Sequence, residues 1–212
     1  MKGKIISIPY NTAKDFLLPR HYSGRMPSIS YAWGWYLDNE LVAVCTFGKP
    51  ASNSLCEGIC GKEFSARVFE LNRLCRVENL SEPLSSFVSA CLRRLKPHNL
   101  IVVSYSDEAM NHHGYIYQAC NFLYTGKTNK RTDKFTEGNK HSRHYDNDKQ
   151  SGLRKVRSPK HRYVYFAMKD KRLMKEVKQC LNYSVCEYPK GDNFNYVLGE
   201  YLKPHIIKGR LT

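Results

Sequence analysis

Apolar and polar residues alternate along several stretches of the chain, which is the pattern of a strand with one buried face. Residues 5–8, 31–37, 40–47, 68–77 and 163–168 are predicted as strands on this basis. Residues 99–105 form a short continuous apolar run instead, which predicts a strand buried on both faces. Asp38 and Asn39 separate two of the alternating runs, so we expect a tight hairpin there.

Apolar residues spaced three and four apart predict the helices. One helix starts with an Asn11 or Thr12 cap and ends before Pro19, and another starts with a Ser81 cap. Residues 114–121 and 171–181 complete the set, whereas 50–64 is predicted as loop. The order of elements indicates a mixed α/β fold with an antiparallel meander and a later strand-helix-strand step.

The predicted strand at 68–77 has no purely apolar face. Phe69, Leu71, Arg73 and Cys75 should share one face, opposite a face that carries Glu70 and Asn72. A charged residue in the middle of a strand needs a partner, because burying it alone is costly. We therefore expect one of these faces to line a site or to meet solvent, with Arg73 either paired to Glu70 or Asp107 or binding a phosphate.

The charge of the chain is strongly unbalanced. Its 212 residues, taken as one domain over 1–212, carry 34 Lys and Arg against 19 Asp and Glu, a net charge of +15. Such a balance favours a polyanionic partner, and nucleic acid is the first candidate. The hydrophobic content of 42% argues against a disordered chain.

Much of the excess charge lies in residues 127–162, which hold 12 Lys and Arg and 4 Asp and Glu. This basic segment has almost no apolar period, so it is either a solvated loop or an arm that contacts double-stranded DNA. The candidate DNA-binding residues are Lys130, Arg131, Arg143, Arg154, Lys155, Arg157, Lys160 and Arg162.

The chain has no apolar run long enough to cross a membrane, and a cytoplasmic location is expected, in the host cell if a phage encodes the protein. Several of its eight cysteines fall within apolar patterns, which favours reduced, buried thiols. Cys56 and Cys60 could supply half of a zinc site, but no second pair has the required spacing. A zinc site is therefore disfavoured.

Asp107 follows the buried strand and precedes His112, His113 and Gly114. A residue at such a strand end faces the ligand crevice in open α/β sheets, although a helix cap would also place an Asp there. His21 and Tyr22 share a polar loop at 20–25 and are ordinary surface residues unless a site includes them.

Four segments together resemble the Mom DNA-modification proteins of Mu-like and related phages, from about residue 5 to residue 190. They read Arg20-His-Tyr-Ser-Gly-Arg, Val68-Phe-Glu-Leu-Asn-Arg-Leu-Cys, Ser104-Tyr-Ser-Asp-Glu-Ala-Met-Asn-His-His-Gly-Tyr-Ile-Tyr-Gln-Ala and Ser158-Pro-Lys-His-Arg-Tyr-Val-Tyr-Phe. Each segment alone is a weak signal, but the four occur in the order that the family has.

The resemblance implies a GNAT-like fold, with a mixed, mostly antiparallel central sheet flanked by helices and the basic segment as an insertion. It implies an enzyme that converts adenine in DNA to an N6-methylcarbamoyl-type (acetamido) adenine, which protects the DNA from host restriction. Acetyl-CoA is the expected acyl source, and iron is implicated in the family. The active-site residues implied are Asp107, Tyr22, His21, Arg73 and Tyr117, with His21 and Asp107 as metal ligands.

The chain departs from ordinary acetyltransferases at the turn that binds the CoA pyrophosphate. Those enzymes have glycines before the central helix, whereas residues 76–86 of this chain contain none. Ser85 and Ser86 could donate hydroxyls to phosphate at the helix start, but Glu78 and Glu82 would repel it.

Two other functions fit the same sequence. The protein could be an acetyltransferase that acts on another amine or on RNA, or a non-catalytic DNA-binding protein in which Asp107 and the histidines are structural.

Overall fold

A computed structural model describes residues 2–135, 152–192 and 205–209 of the chain. The strands are β1 (Lys4–Ser7), β2 (Tyr31–Leu37), β3 (Glu40–Gly48), β4 (Val68–Arg76), β5 (Leu100–Asp107), β6 (Leu123–Lys127), β7 (Arg131–Lys134), β8 (Leu153–Arg157), β9 (Lys160–Ala167) and β10 (Ile206–Lys208). The helices are α1 (Tyr10–Leu17), α2 (Asn53–Cys60), α3 (Leu84–Leu95), α4 (Tyr115–Ala119) and α5 (Lys171–Gln179).

Seven strands form the central sheet, in the order β1-β2-β3-β4-β5-β9-β6. Its neighbouring strands are antiparallel except β4 and β5, which run parallel because α3 crosses between them. The predicted meander and the strand-helix-strand step are both confirmed.

The hairpin between β2 and β3 has the predicted turn. Asp38 and Asn39 have φ angles of 47° and 66°, so both adopt the left-handed conformation that Asx residues tolerate. Leu37 pairs directly with Glu40 across this two-residue loop. The turn therefore fixes the register of the first strands of the meander.

Each face of the sheet is covered by its own core. On one face, α3 and α4 pack on Trp35, Phe47 and Tyr163. On the other face, α1 packs on Val44 and Cys75, while α2 and α5 pack on Val68 and Val103. The two faces are called the α3 face and the α1 face below.

Helix α2 corrects the prediction of a loop over residues 50–64. Cys56, Ile59 and Cys60 are buried against the sheet, at the three- and four-residue spacing of an amphipathic helix. Ser54, Gly58 and Gly61 surround them, and this small-residue composition conceals the period in the sequence.

A β-bulge in β4 also corrects the expected faces of that strand. Thr46 pairs with Arg73 and Phe47 pairs with Leu71, so Asn72 is an extra residue in the ladder. Leu71 therefore stays on the α3 face, while Arg73 and Cys75 turn to the α1 face. The four residues that strict alternation put on one face are divided between two.

Part of the basic segment forms a second sheet, in the order β10-β8-β7. The prediction of an irregular loop is wrong for residues 131–134 and 153–157, which lack an apolar period because polar contacts hold them together. Arg154 donates to the hydroxyl and carbonyl of Thr132, and Arg157 forms an ion pair with Asp133 at 3.1 Å. Residues 136–151 lie outside the described residues.

None of the helices in the described ranges is long and apolar enough to cross a membrane.

Candidate functional site

The candidate site lies where β4 and β5 separate. The two strands pair only through residues 68–70 and 101–103. Beyond that point β4 continues along β3, and β5 continues along β9. A gap thus opens between the strands, spanned by Ser104, whose hydroxyl donates to the Leu71 carbonyl at 3.0 Å.

Asp107, at the end of β5, is 7% exposed and has three hydrogen-bond donors. Its Oδ1 accepts from the Ala109 amide at 3.1 Å and from the Ser158 hydroxyl, and its Oδ2 lies 2.9 Å from Lys160 Nζ. Burial alone would raise its pKa, but the Lys160 charge and these hydrogen bonds hold the pKa below its usual value. Asp107 is therefore ionised at neutral pH, and it also caps the short 3-10 turn at 108–110.

The loop that carries His21 and Tyr22 lies beside this carboxylate. The His21 ring stacks on the Tyr22 ring with centroids 4.5 Å apart. Tyr22 meets His112 edge-on at 6.3 Å, and the His112 amide donates to the Asp107 carbonyl at 3.2 Å. Burial, with the Asp107 charge second, raises the Tyr22 pKa to about 12, so its phenol stays protonated.

His21 is 9% exposed and neutral. Burial, followed by the charges of Arg73 and Lys160, lowers its pKa to about 3. Its Nδ1 accepts the Ser23 backbone N–H at 3.1 Å, so in the neutral ring Nε2 carries the proton. In this state His21 Nε2 is able to donate a hydrogen bond, and the ring is not a proton acceptor.

Arg73 points toward the same loop. Its guanidinium donates to the carbonyls of Asn72 at 2.6 Å and Arg25 at 2.9 Å, while its buried Nε has no acceptor in the parts of the chain described. It forms no ion pair with Glu70 or Asp107. Burial lowers the Arg73 pKa, and burial raises the pKa of Glu70.

Tyr117 approaches the gap from the α3 face. Its ring packs against Phe122 and Tyr163, with centroids 5.4 Å and 5.3 Å away, and its hydroxyl is hydrogen-bonded to Ser104. Burial raises the Tyr117 pKa well above its usual value, so the phenol is protonated. The site therefore has residues from both faces of the sheet, joined through the gap.

The first turn of α3 contains Ser85 and Ser86. The helix begins at Leu84 with Pro83 at the N-cap position, so the predicted Ser81 cap is wrong. No side chain caps this end, so the Ser85 N–H is available, whereas the Ser86 N–H donates to the Pro83 carbonyl at 3.1 Å. The Cys120 thiol, just after α4, donates to the Ser85 carbonyl at 3.3 Å, so this turn lies beside the helix that carries Tyr117.

The residues present do not fit a resident iron. No group of three or more His, Cys, Asp or Glu able to hold a metal occurs within residues 2–135, 152–192 and 205–209. Asp107 already has three donors, and His21 Nδ1 is occupied by Ser23. Cys56 and Cys60 pack in an apolar cluster, where burial raises the pKa of both thiols.

Half of the candidate DNA-binding side chains have partners within the protein. Lys160 pairs with Asp107, Arg154 bonds to Thr132 and Arg157 pairs with Asp133. Arg162 bonds to Thr125 and lies 3.3 Å from the ring centroid of Tyr183. Lys130, Arg131 and Lys155 have no such contact among the described residues, and Arg143 lies outside them.

Sequence reasoning missed the residues that hold Asp107. Lys160 was interpreted only as a DNA contact and Ser158 only as part of a motif, yet both bind the carboxylate. The antiparallel pairing of Asp107 with Lys160 explains this contact, since directly paired residues project to the same face. The local sequence marks Asp107 as a strand end or a helix cap, and neither signal identifies Lys160 or Ser158 as its partner.

Comparisons with solved structures define the fold. An N-acetyltransferase from Staphylococcus aureus Mu50 is 10% identical, with a TM-score of 0.50 over 79% of this chain and 99% of that one. A probable acetyltransferase from Staphylococcus epidermidis ATCC 12228 is 13% identical, with a TM-score of 0.49 over 78% and 99%. A Bacillus subtilis acetyltransferase in complex with CoA is 14% identical, with a TM-score of 0.43 over 78% and 99%.

The chain thus has the acetyltransferase (GNAT-like) fold. A sequence profile of the Mom protein family matches residues 3–190, and the chain belongs to that family. A comparison with curated protein sequences found no match. Membership of this family supports a general role in DNA modification, and the solved structures bear on the fold.

Proposed function

We propose that this protein is a DNA-modification enzyme that attaches an acyl-derived group to the exocyclic N6 of adenine. The observation that carries the proposal is the meeting of the His21–Tyr22 loop with Asp107 at the gap between β4 and β5. Distant parts of the chain supply these residues, of which His21 and Asp107 are buried and Tyr22 is half-buried. Such a convergence of buried polar groups is typical of a catalytic site.

An adenine that enters this site must leave the DNA stack. Enzymes that act on a base in duplex DNA extrude it into a pocket with aromatic walls. The stacked rings of His21 and Tyr22 offer such a wall, and His21 Nε2 is a donor for a ring nitrogen of the base.

Asp107 is suited to hold the amine. An ionised carboxylate has about four lone-pair positions, and three are occupied by Ala109, Ser158 and Lys160. The remaining position on Oδ2 can accept an N6 proton in a hydrogen bond and stabilise positive charge that develops there. Its lowered pKa makes Asp107 a weak proton acceptor, whereas Glu70, with its raised pKa, is the better base.

The α3 face is suited to the acyl donor. Acetyl-CoA would supply the acyl group, with its phosphates at the Ser85 N–H and the hydroxyls of Ser85 and Ser86. Tyr117, protonated and hydrogen-bonded to Ser104 in the gap, is placed to donate a proton to a leaving thiolate. The adenine and the acyl donor would then reach the gap from opposite faces of the sheet.

Nucleoside analysis of plasmid DNA from expressing cells tests the proposal. We expect an altered deoxyadenosine, whose mass distinguishes a methylcarbamoyl-type adduct from an acetyl adduct. Asp107→Asn should abolish it, whereas Asp170→Asn, which changes an Asp that caps α5, should leave it intact. Unaltered deoxyadenosine alongside folded wild-type protein would contradict the proposal.

The same samples distinguish the proposed function from the two alternatives. Acetylation of a different amine or of RNA, with no change in DNA nucleosides, would support an ordinary acetyltransferase. An Asp107→Asn variant that loses stability and nothing else would support a non-catalytic DNA-binding protein.

A further inference from the structure

Among the residues that the structure describes, four cations and one carboxylate lie close together beside the candidate site. In the second sheet, Arg131 pairs with Arg157 and Asp133 pairs with Lys155, so these four side chains share one face. Arg25, from the loop between α1 and β2, lies close to them. After burial, the charges of Arg157 and Asp133 shift the pKa of Arg25, and the Arg25 charge contributes to lowering the pKa of Lys155.

This arrangement is unfavourable for the protein alone. Like charges directly opposite each other in a sheet destabilise the pairing, as with Arg131 and Arg157. Among the described residues, Asp133 forms an ion pair with Arg157 alone, at 3.1 Å. The side chains of Arg25 and Lys155 are half-buried and have no hydrogen bond or ion pair with any residue that the structure describes.

The cluster adjoins the residues proposed to bind adenine. Arg73 donates to the Arg25 carbonyl at 2.9 Å, and the Arg157 charge acts on Tyr22. Arg25 follows α1, which packs on the opposite face of the sheet from α3. The cluster is therefore separate from the first turn of α3, where the phosphates of acetyl-CoA are expected.

We infer that Arg25, Lys155 and Arg157 together bind one phosphodiester of the DNA strand, next to the nucleotide that enters the site. The inference rests on the proposed function, and it adds the phosphate contact that holds the strand while the base is extruded. Arg25 is new to the DNA surface, because it lies in the His21–Tyr22 loop and outside the basic segment. Arg154 is excluded from the contact because it lies on the opposite face of the second sheet, and Arg162 because it bonds to Thr125 and packs on the Tyr183 ring.

The dependence of DNA affinity on salt tests this shared contact. Each phosphate that a protein neutralises contributes about 0.9 to the slope of log K against log salt. Arg25→Gln and Lys155→Gln should each make the slope shallower by about one, whatever the DNA sequence. The double variant should also lose about one, because both residues bind the same phosphate.

A matched control removes two charges elsewhere. Lys62, in the turn after α2, and Lys175, in α5, are exposed and lie outside the second sheet and the His21–Tyr22 loop, so Lys62→Gln/Lys175→Gln should keep the wild-type slope. Fluorescence anisotropy with labelled duplex DNA gives the affinities, and thermal unfolding shows that each variant is folded.

Unchanged slopes in the Arg25 and Lys155 variants would overturn the inference. A double variant that loses about two units would also overturn it, since the residues would then bind separate phosphates. Weakened CoA binding with unchanged DNA binding would assign the cluster to the other ligand and overturn it as well. Wild-type protein that still forms the adduct in these cases shows that the proposed function stands while the phosphate contact fails.

Discussion

Removing the Lys160 charge should raise the pKa of Asp107 by roughly 1–3 units. Their charged atoms lie 2.9 Å apart, where two unit charges attract by about 6 kcal/mol at an effective dielectric constant of about 20, and by about 1.4 kcal/mol in bulk water. The Lys160 side chain is 33% exposed, so the interaction lies between these limits. Since about 1.4 kcal/mol corresponds to one pKa unit, Lys160→Met should cause a shift of this size.

The carboxyl carbon of Asp107 reports the titration directly. In protein with ¹³C-labelled aspartate, the Asp107 signal is assigned by its loss in Asp107→Asn and followed by NMR as the pH is lowered. Because the folded pKa is below the unfolded value, ionised Asp107 stabilises the fold at neutral pH, and this contribution is lost as the pH falls through the folded pKa. Lys160→Met should shift this loss of stability to higher pH. Lys160→Arg keeps the positive charge, so the loss of stability should stay near its wild-type pH.

An unchanged titration in Lys160→Met would refute the electrostatic role of this lysine. DNA affinity in the same variant separates the two interpretations of Lys160. If DNA affinity becomes less dependent on salt while the Asp107 pKa is unchanged, Lys160 is a DNA contact, as the sequence alone suggested.

Three further predictions follow from the geometry. Gly114→Ala should destabilise the protein by about 2–4 kcal/mol in urea unfolding, because φ is +76° and a Cβ would lie 2.5 Å from the Tyr163 ring. Gly126→Ala, with φ +81° and nothing within 4 Å, should cost only about 1 kcal/mol, and equal costs would contradict the steric argument. The His21 ring should stay neutral from pH 8 to pH 5 by ¹⁵N NMR because its pKa is about 3, and protonation near its ordinary pKa of 6.5 would show that the ring is not buried. Tyr117→Phe should slow adduct formation by about 10²-fold or more yet keep DNA affinity and stability, and normal adduct levels would remove Tyr117 from the reaction.

The fold was predictable wherever burial leaves a periodic signal. Alternation located β2, β3 and β4, a continuous apolar run located β5, and Asp38-Asn39 located the hairpin turn. Helix α2 was missed because small residues replace the large apolar side chains that mark a helical face. Strands β7 and β8 were missed because their pairing is supported by ion pairs and threonine contacts, which impose no hydrophobic period.

The site was predictable to a smaller extent. Local sequence and family resemblance selected Asp107, Tyr22, His21, Arg73 and Tyr117, and the structure brings these residues to one gap in the sheet. Sequence did not reveal which cations face inward, because that depends on pairing between strands far apart in the chain. Lys160 meets Asp107 only through the register of β5 and β9, a contact over 53 positions of sequence.

The bulge at Asn72 explains how one strand serves both the core and the site. Asn72 accepts a hydrogen bond from the Thr46 hydroxyl at 2.6 Å and donates to the Ser28 carbonyl at 2.9 Å, so both of its side-chain ends are fixed. In a regular ladder, with Asn72 paired to Thr46, Arg73 would share the α3 face with Leu71, inside an apolar core where its charge would have no partner. With it, Arg73 reaches the His21–Tyr22 loop at the position where β4 loses β5 as a neighbour. The bulge and the gap therefore act together. The bulge directs the Arg73 guanidinium toward the loop, and the gap provides the space that the guanidinium faces.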